Sequence, residues 1–343
     1  MRRLPLVLGF FVTLPCNAAV VYDFTPVAQQ ISGMVQATPD MYGASLIVLR
    51  NGAVIYQGYF GTFTPATRVP VASASKWLSA LTIERLVEQG QMHWTDTVGQ
   101  YIPGAPVDKQ AITLGQLFSH TSGLTKTDDP CLGDYQNYTL ASCAEQILAT
   151  PLAYPPGTAF AYTGNGMQIG GRMAEVATGQ DWAALFQNEL TSPLGMADTR
   201  FSGDGVNPRI AGGVASTMAD YAKVVQMVVQ QGQWNGAAFL SAAGVAAMQQ
   251  DQTHGAPIIG PVDPFTAGYG YGEWRDVVDA QGRAVQVSST GAFGTSPWIN
   301  NQTGVAAVFL TLSQDLAKAN IRALWENVNA VVIDPVFSDG FDP

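Results

Sequence analysis

Segments rich in β-forming residues lie near both ends of this chain, while the stretch between them follows helical patterns. Near the N-terminus, the apolar runs 44–49 and 53–56 flank Asn51-Gly52, a dipeptide that tolerates the positive φ angles of a tight hairpin turn. Three later segments also have the composition of strands: 270–275, 284–289 and 305–311. Because strands must pair with other strands, we predict one antiparallel sheet assembled from the two chain ends.

Helical spacing of apolar residues accounts for much of the remaining chain. It runs from Ser73 to about Gln89, where Gly90 supplies a stop, and segment 313–332 is predicted to close the chain as a helix. Further helices are predicted at 114–119, 142–149, 165–178, 181–190 and 218–232. The predicted fold class is therefore α/β plus α: an antiparallel sheet flanked by helices, with an inserted and mostly helical domain.

These elements divide the chain into two predicted domains. Residues 20–90 and 201–335 form the predicted α/β domain, and residues 91–200 form the helical domain. Residues 336–343 are predicted to be an exposed tail. With 47% hydrophobic and 12% charged residues, the chain has the composition of a protein with a substantial core, not of a disordered segment.

The N-terminus has the order of a secretory signal peptide. Met1-Arg2-Arg3 is basic, residues 4–14 form a short apolar run, and Ala18-Ala19 provides the small residues that a cleavage site needs. We predict that residues 1–19 are removed and that the protein is exported, to the periplasm or to the medium. A cytoplasmic protein with an apolar N-terminal strand is the alternative. No later segment approaches 18 consecutive apolar residues, so no permanent membrane anchor is expected.

The charge balance argues against nucleic acid as a partner. The chain has 16 Lys and Arg against 26 Asp and Glu, which gives a formal net charge of −10. Binding to phosphates requires clustered basic residues, and five lysines cannot form such a surface. A small-molecule or peptide-like substrate fits this composition better.

Cys131 and Cys143 are the two cysteines that follow the predicted signal peptide. In an oxidising compartment, an isolated pair separated by a polar stretch is expected to form one structural disulfide. A metal site is the alternative reading, but it needs further His or Cys ligands at short spacing, and the sequence has none nearby. We expect no metal and no cofactor.

Ser73 and Lys76 form the only Ser-x-x-Lys of the chain. Three positions apart on a helix, the two side chains project from one face, so the amine can hydrogen-bond the hydroxyl. A serine hydroxyl becomes a good nucleophile when a neighbouring base takes its proton, and a desolvated lysine can do so. The motif alone is weak evidence, because Ser73 could equally cap a helix on which Lys76 is a solvated charge.

Two later motifs strengthen this interpretation, Tyr162-Thr163-Gly164-Asn165 and Ser289-Thr290-Gly291-Ala292. With them in this order, the chain resembles the serine β-lactamase-like superfamily: class C β-lactamases, D-alanyl-D-alanine carboxypeptidases and family VIII carboxylesterases. The resemblance implies a β-lactamase/transpeptidase-like architecture. Smaller matching elements are His120–Leu124, Ala211–Thr217 with Asp220-Tyr221, and Gly268–Gly272.

The resemblance also implies a role for each matching residue. Ser73 would be the acylated nucleophile, Lys76 its proton partner, and Tyr162 the group that passes a proton to the leaving group. The oxyanion hole would consist of the backbone N–H groups of Ser73 and Ala292. The implied substrate-binding residues are Asn165, Ser289, Thr290 and Gly291. Phe293, which closely follows the third motif, is a further candidate that could shape an acyl pocket.

Two positions depart from the family pattern. The Asn of Tyr-x-Asn falls on Gly164, with Asn165 one place later, and the Lys or His that opens the third motif is Ser289. A β-lactam or a D-alanyl terminus carries a carboxylate that would then lack a local cation, although Arg275 or Arg283 could supply one. A neutral ester or amide is therefore the favoured substrate.

The sequence as a whole predicts an exported serine hydrolase that works through an acyl-enzyme. A D,D-peptidase or β-lactamase is the alternative within this class, and a non-catalytic module that binds a peptidoglycan-like ligand is the alternative outside it. A Ser-His-Asp hydrolase is disfavoured because no Gly-x-Ser-x-Gly motif is present. His93, His120 and His254 lack ligand spacing, and His120 is expected to be structural.

Overall fold

A six-stranded antiparallel sheet assembled from both ends of the chain is the centre of the molecule. The computed structural model describes residues 19–125, 127–203, 206–259, 266–333 and 336–338. The strands are β1 (Ala19–Val21), β2 (Gly43–Arg50), β3 (Ala53–Gly61), β4 (Arg68–Pro70), β5 (Arg200–Phe201), β6 (Val214–Thr217), β7 (Gln233–Trp234), β8 (Ala237–Ala238), β9 (Trp274–Val278), β10 (Ala284–Ser288), β11 (Ser296–Asn300), β12 (Val305–Thr311) and β13 (Val336–Ser338). The predicted signal peptide lies outside the described residues, except for Ala19.

Helices cover the sheet and fill the middle of the chain. The α-helices are α1 (Thr25–Ala37), α2 (Ser75–Glu88), α3 (Val98–Tyr101), α4 (Leu114–Phe118), α5 (Leu140–Ala149), α6 (Asn165–Thr178), α7 (Trp182–Phe186), α8 (Ser192–Leu194), α9 (Met218–Val229), α10 (Ala242–Met248) and α11 (Lys318–Ile333). Short 3-10 turns lie at Ala72–Ala74, Val107–Lys109 and Pro130–Gly133. A π-helical segment, Gln187–Thr191, joins α7 to α8.

The order of strands in the main sheet is β3-β2-β12-β11-β10-β9, and each neighbouring pair is antiparallel. The N-terminal hairpin therefore joins the C-terminal strands through β2 and β12, with Ile47 opposite Val308. This arrangement confirms the predicted fold class.

Alternation along β2 explains why its sequence is apolar without interruption. Leu46 and Val48 point to one face, where they pack in a core cluster with α1 and α11. Ile47 and Leu49 point to the other face and belong to a second cluster that includes residues of α2 and α9. This second cluster continues without a break into α4, α5 and α6, so the elements around Ser73 share one core.

Several elements differ from their predictions. The strand predicted at 270–275 is β9, and it begins only at Trp274 because Gly268 and Gly272 adopt positive φ angles of 144° and 78°. Strand β11 was not predicted, since Pro297 argues against a strand within a sheet; it is tolerated here at the second strand position. The closing helix starts at Lys318 instead of residue 313.

The segment predicted as an exposed tail contains a strand. Its residues 336–338 form β13, which pairs antiparallel with β1, and Ala19 lies opposite Ser338. This pairing joins the two ends of the described chain. Residues 339–343 of the predicted tail lie outside the described residues.

The predicted disulfide is confirmed. Cys131 and Cys143 are bonded, with a Cα–Cα distance of 5.5 Å, and they join the turn Pro130–Gly133 to α5. Closing a loop of this length restricts the unfolded chain and stabilises the folded state by about 3 kcal/mol. We expect the double variant Cys131→Ala/Cys143→Ala to lose that amount in urea unfolding without a reductant. An unchanged unfolding midpoint would contradict this prediction.

Buried Glu84 on α2 predicts a pH-dependent stability. The pKa of its carboxyl group is raised from 4.5 to about 7, chiefly by burial. The hydrogen bond from Trp94 Nε1, at 2.6 Å, opposes this rise, and the nearby Glu88 carboxylate adds to it. The folded protein therefore binds more protons than the unfolded chain between these two pKa values. Stability is present below pH 4.5 and is lost as the pH rises towards 7.

The variant Glu84→Gln removes this titration and keeps an oxygen that can accept from Trp94. At pH 8, urea unfolding of this variant is expected to give a free energy of unfolding up to about 3 kcal/mol larger than that of the unchanged protein. At pH 4.5 the two free energies should differ little. The exposed Glu145→Gln serves as the control variant. A difference that does not depend on pH would show that the carboxyl group is not the cause.

Candidate active site

Ser73 lies where a 3-10 turn leads into α2. The turn Ala72–Ala74 precedes the helix directly, and Ala72 has a φ of 47°, a strained value for a residue with a side chain. Ser73 is partly exposed between buried neighbours. Its backbone N–H lies in the first turn, where amide groups have no intrahelical acceptor and remain available to a ligand.

Lys76 contacts the Ser73 hydroxyl directly. Its Nζ donates to Ser73 Oγ at 3.1 Å and to the carbonyl oxygen of Ala211 at 2.9 Å. Only 4% of Lys76 is exposed, and within the described part of the chain it has no carboxylate partner. The i, i+3 spacing that the sequence offered thus becomes a direct contact between amine and hydroxyl.

Tyr162 completes this group from a separate part of the chain. Lys76 Nζ lies 4.5 Å from the centroid of the Tyr162 ring. The ring stacks on Trp274, with centroids 4.9 Å apart, and contacts the ring of His120 at 4.6 Å. Tyr162 and Ser73 therefore line the same cleft, and buried Lys76 contacts both of them.

His120 packs against the Tyr162 ring. Burial lowers the pKa of its imidazole well below 6.5, and the Lys76 charge lowers it further, so the ring is neutral. Its carbonyl oxygen accepts a hydrogen bond from the Ala161 N–H at 2.9 Å. His120 does not line the cleft at Ser73.

The third motif approaches Ser73 through its backbone. The Ser289 hydroxyl lies 3.3 Å from the carbonyl oxygens of both Ser73 and Gly272, and Ser289 is buried. Gly291 has no room for a side chain, because a Cβ there would lie 2.2 Å from the Val71 carbonyl oxygen. Thr290, Gly291 and the exposed Ala292 then line the cleft.

The cleft at Ser73 is a cavity of about 190 Å³. Trp274, Ile321 and Trp325 form its apolar walls, and Ser73 and Tyr162 lie on its surface. The other lining residues are Asp276, Ser288, Thr290, Gly291, Ala292, Lys318 and Arg322. A small, mainly apolar group can bind next to the Ser73 hydroxyl here.

Asn165 does not reach this cavity, contrary to prediction. It is completely buried, and its Oδ1 accepts a hydrogen bond from the Asp129 N–H at 2.8 Å. Its Nδ2 donates to Thr125 Oγ1 at 2.7 Å and to the Thr127 carbonyl oxygen at 2.9 Å. The amide is therefore used to hold a neighbouring loop and does not point to a substrate.

Ser289 and Phe293 are also absent from the cavity lining. The Ser289 hydroxyl contacts the Ser73 carbonyl oxygen, as described above. Phe293 is half-buried, and its carbonyl oxygen accepts a hydrogen bond from the Ser313 N–H. Neither proposed replacement cation lies at the cavity. Arg275 donates to backbone carbonyl groups of Gln249 and Gly282, and Arg283 pairs with Asp279.

Two cations that the sequence reasoning missed come from the closing helix. Lys318 and Arg322 are four residues apart on α11 and both line the cavity. Arg322 pairs with Asp276 at 2.9 Å and lies over the Trp325 ring at 4.4 Å. Lys318 is exposed and forms no ion pair with any residue that the structure describes. Their i, i+4 spacing is visible in the sequence, but their position at Ser73 depends on how α11 packs.

The space that an Asn side chain would need at position 164 is filled. A Cβ on Gly164 would lie 2.5 Å from Leu132 Cδ2 and 3.4 Å from Ala211 Cβ. Leu132 therefore occupies the space at this position, and Asp128 Oδ1 lies beside it, 3.3 Å from where that Cβ would be.

Comparison with known proteins identifies the relatives of this fold. The family model described as Beta-lactamase matches residues 31–330. A solved structure from Bacteroides dorei, provisionally named a beta-lactamase, is 35% identical, with a TM-score of 0.83, and the match covers 91% of this chain and 100% of that one. EstCE1, described as a hydrolase with promiscuous acyltransferase activity, is 20% identical, with a TM-score of 0.73, over 87% of this chain and 98% of its own; this shows a shared fold.

Among curated proteins, penicillin-binding protein 4 of Amycolatopsis lactamdurans is 29% identical over 172 residues. The match covers 45% of this chain and 43% of that protein, and a match to Protein flp of Staphylococcus aureus (strain N315) covers 34% of its length. The chain thus spans less than half of the curated relatives it matches. In the described residues, no helix is long and apolar enough to cross a membrane.

Proposed function

Since the chain belongs to the beta-lactamase family, we propose that it is a serine hydrolase that cleaves an ester or amide through an acyl-enzyme on Ser73. The observation that carries this proposal is the 3.1 Å contact between Lys76 Nζ and Ser73 Oγ at the surface of a cavity. A nucleophile within hydrogen-bond distance of a base is the arrangement that acyl transfer requires.

In the first step, Ser73 Oγ attacks the carbonyl carbon of the substrate while Lys76 Nζ accepts the hydroxyl proton. The new Oγ–C bond forms, the bond to the leaving alcohol or amine breaks, and Tyr162 passes the proton that Lys76 took from Ser73 on to that leaving group. The negative oxygen is held by the N–H groups of Ser73 and Ala292. In the second step, water attacks the acyl carbon, the bond between this carbon and Ser73 Oγ breaks, and one proton of the water returns to Oγ as the carboxylic acid leaves.

The cavity supports a short acyl group as the preferred substrate. Its volume of about 190 Å³ is below the roughly 300–1,000 Å³ of pockets that hold drug-sized ligands. The walls formed by Trp274, Ile321 and Trp325 favour an apolar group without a charge of its own. A short-chain ester such as p-nitrophenyl butyrate fits these requirements.

Lys318 favours a second candidate, a substrate with a carboxylate. An ammonium group without an ion-pair partner among the described residues can pair with an anion at the cavity rim. Activity as a D,D-peptidase or β-lactamase would use Lys318 in place of the cation that is missing at Ser289. Lys318→Ala is expected to raise KM for such substrates and to leave a neutral ester unaffected.

The experiment compares four substrates with the unchanged protein, Ser73→Ala and Lys318→Ala. The substrates are p-nitrophenyl butyrate, its carboxylate analogue p-nitrophenyl hemisuccinate, nitrocefin and a D-Ala-D-Ala peptide. We expect Ser73-dependent turnover that is fastest for butyrate. Arg283→Ala, which removes the same charge outside the cavity, is the control for Lys318. Binding of the peptide with no turnover of any substrate would instead support the non-catalytic alternative.

Export is part of the same proposal. The basic start, the apolar run and Ala18-Ala19 support removal of residues 1–19. Expression of the full chain followed by N-terminal sequencing of the secreted or periplasmic protein tests it. The expected first residue is Val20, and an uncleaved chain retained in the cytoplasm would overturn this part.

A further inference from the structure

One carboxylate next to the site contacts the segment that carries Tyr162 and the segment that supplies the carbonyl acceptor of Lys76. Asp128 Oδ1 accepts a hydrogen bond from the Gly164 N–H at 2.5 Å, and Asp128 Oδ2 lies 2.6 Å from Arg209 Nη2. Asp128 belongs to residues 127–134, which we call the 127–134 loop. Neither Asp128 nor Arg209 lines the cavity at Ser73.

The bond to Gly164 fixes the segment that carries Tyr162. On the N-terminal side of Tyr162, the Ala161 N–H donates to the His120 carbonyl oxygen at 2.9 Å. On the C-terminal side, Gly164 N–H donates to Asp128. Tyr162 and one further residue thus lie between two anchored amide groups, which restricts the backbone angles that direct the Tyr162 ring.

The bond to Arg209 fixes the segment that holds Lys76. The Arg209 carbonyl oxygen accepts from the N–H groups of Gly212 at 3.0 Å and Gly213 at 2.7 Å, so residues 209–213 form a tight turn. Ala211 lies within this turn and accepts the hydrogen bond from Lys76 Nζ. The position of the Arg209 side chain is therefore coupled to the position of the lysine acceptor.

The 127–134 loop is itself firmly held. Asn165 binds its backbone through the amide contacts described above, and Asp129 Oδ1 accepts from Gln146 Nε2 on α5 at 2.6 Å. Asn207 Nδ2 donates to the Cys131 carbonyl oxygen at 2.8 Å, and the disulfide joins Cys131 to α5. Asp128 is thus held in place by the loop itself, through contacts that involve no substrate.

We propose that Asp128 is a positioning residue. Its two carboxylate oxygens hold the segments that carry Tyr162 and the carbonyl acceptor of Lys76 in the correct positions relative to the Ser73 hydroxyl. This inference rests on the proposed function of Ser73, Lys76 and Tyr162. Misplacing reacting groups by about 1 Å can cost 10²-fold in rate, so a residue that acts at a distance can have a large effect. The Asp128 and Arg209 side chains are 37% and 40% exposed, and exposed ion pairs add little stability. Activity and stability should therefore respond differently.

The test uses Asp128→Ala, which removes both contacts, and Asp128→Asn, which keeps an oxygen for the Gly164 N–H and loses the charge that faces Arg209. Asp134→Ala is the matched control, since the Asp134 side chain contacts only Gln136 and Asn137 in the same region. Steady-state hydrolysis of p-nitrophenyl butyrate gives kcat and KM. Reaction with a fluorophosphonate gives the acylation rate of Ser73, and thermal unfolding gives Tm.

We expect Asp128→Ala to lower kcat and the labelling rate between about 10- and 100-fold, with KM and Tm nearly unchanged. Asp128→Asn should fall between Asp128→Ala and the unchanged protein, and Asp134→Ala should match the unchanged protein. A kcat for Asp128→Ala within twofold of the unchanged protein would overturn the inference, as would a loss of activity explained by a lower Tm. If the unchanged protein shows no Ser73-dependent turnover or labelling, the proposed function fails and the inference fails with it.

Discussion

Replacing Lys76 with Met is expected to lower the rate of Ser73 acylation by about 10²- to 10⁴-fold. Methionine preserves the length and the apolar part of the side chain, but it cannot take the hydroxyl proton at 3.1 Å. The variant loses the hydrogen bonds to Ser73 Oγ and to the buried Ala211 carbonyl oxygen, and leaving that oxygen unpaired costs about 1 to 3 kcal/mol of stability, less than the total stability of a typical fold. Stopped-flow measurement of p-nitrophenol release gives the acylation rate directly.

Lys109→Met is the matched control for this variant. Lys109 is equally buried, at 3% exposure, and it pairs with Asp108 away from the cavity. We expect Lys109→Met to acylate at the rate of the unchanged protein. Equal losses in both variants would indicate that removal of a buried amine, and not of the Ser73 base, lowers the activity.

Replacing Ser73 with Ala is expected to remove turnover of every substrate by at least about 10³-fold, because no acyl-enzyme can form. The cavity keeps its apolar walls of Trp274, Ile321 and Trp325, so binding of a substrate should remain. The measurement is kcat for p-nitrophenyl butyrate together with the dissociation constant of a non-hydrolysable analogue. Turnover that survives in Ser73→Ala would place the nucleophile elsewhere in the chain.

The architecture could be predicted because its determinants are local. Asn51-Gly52 specifies a hairpin, and the apolar runs on either side have no alternative to a sheet. Strand β11 could not be predicted in this way, because Pro297 suggests a break in the strand. The residues around Pro297 are extended because they pair with β10 on one side and β12 on the other. The start of β9 was predicted too early, because Gly268 and Gly272 adopt positive φ angles in turns before the strand, and composition alone does not reveal these turns.

In the candidate site, too, contacts between residues close in sequence could be predicted, and contacts between distant segments could not. The contact between Ser73 and Lys76 follows from helical spacing, so three positions of sequence were enough to predict it. The prediction that Asn165 binds substrate was wrong, because nothing in the neighbouring sequence indicates that its amide binds the backbone of the 127–134 loop. Lys318 was missed because α11 reaches the cavity only through its packing on the sheet. Contacts between distant segments require coordinates.

Covalent labelling tests the central claim most directly. A fluorophosphonate is attacked by an activated serine Oγ, which forms an O–P bond and displaces fluoride, and mass spectrometry of the digested protein then identifies the modified residue. The account predicts one label on the peptide that contains Ser73, slowed strongly in Lys76→Met and absent from Ser73→Ala. A label on a different residue, or one that persists in Ser73→Ala, would contradict it.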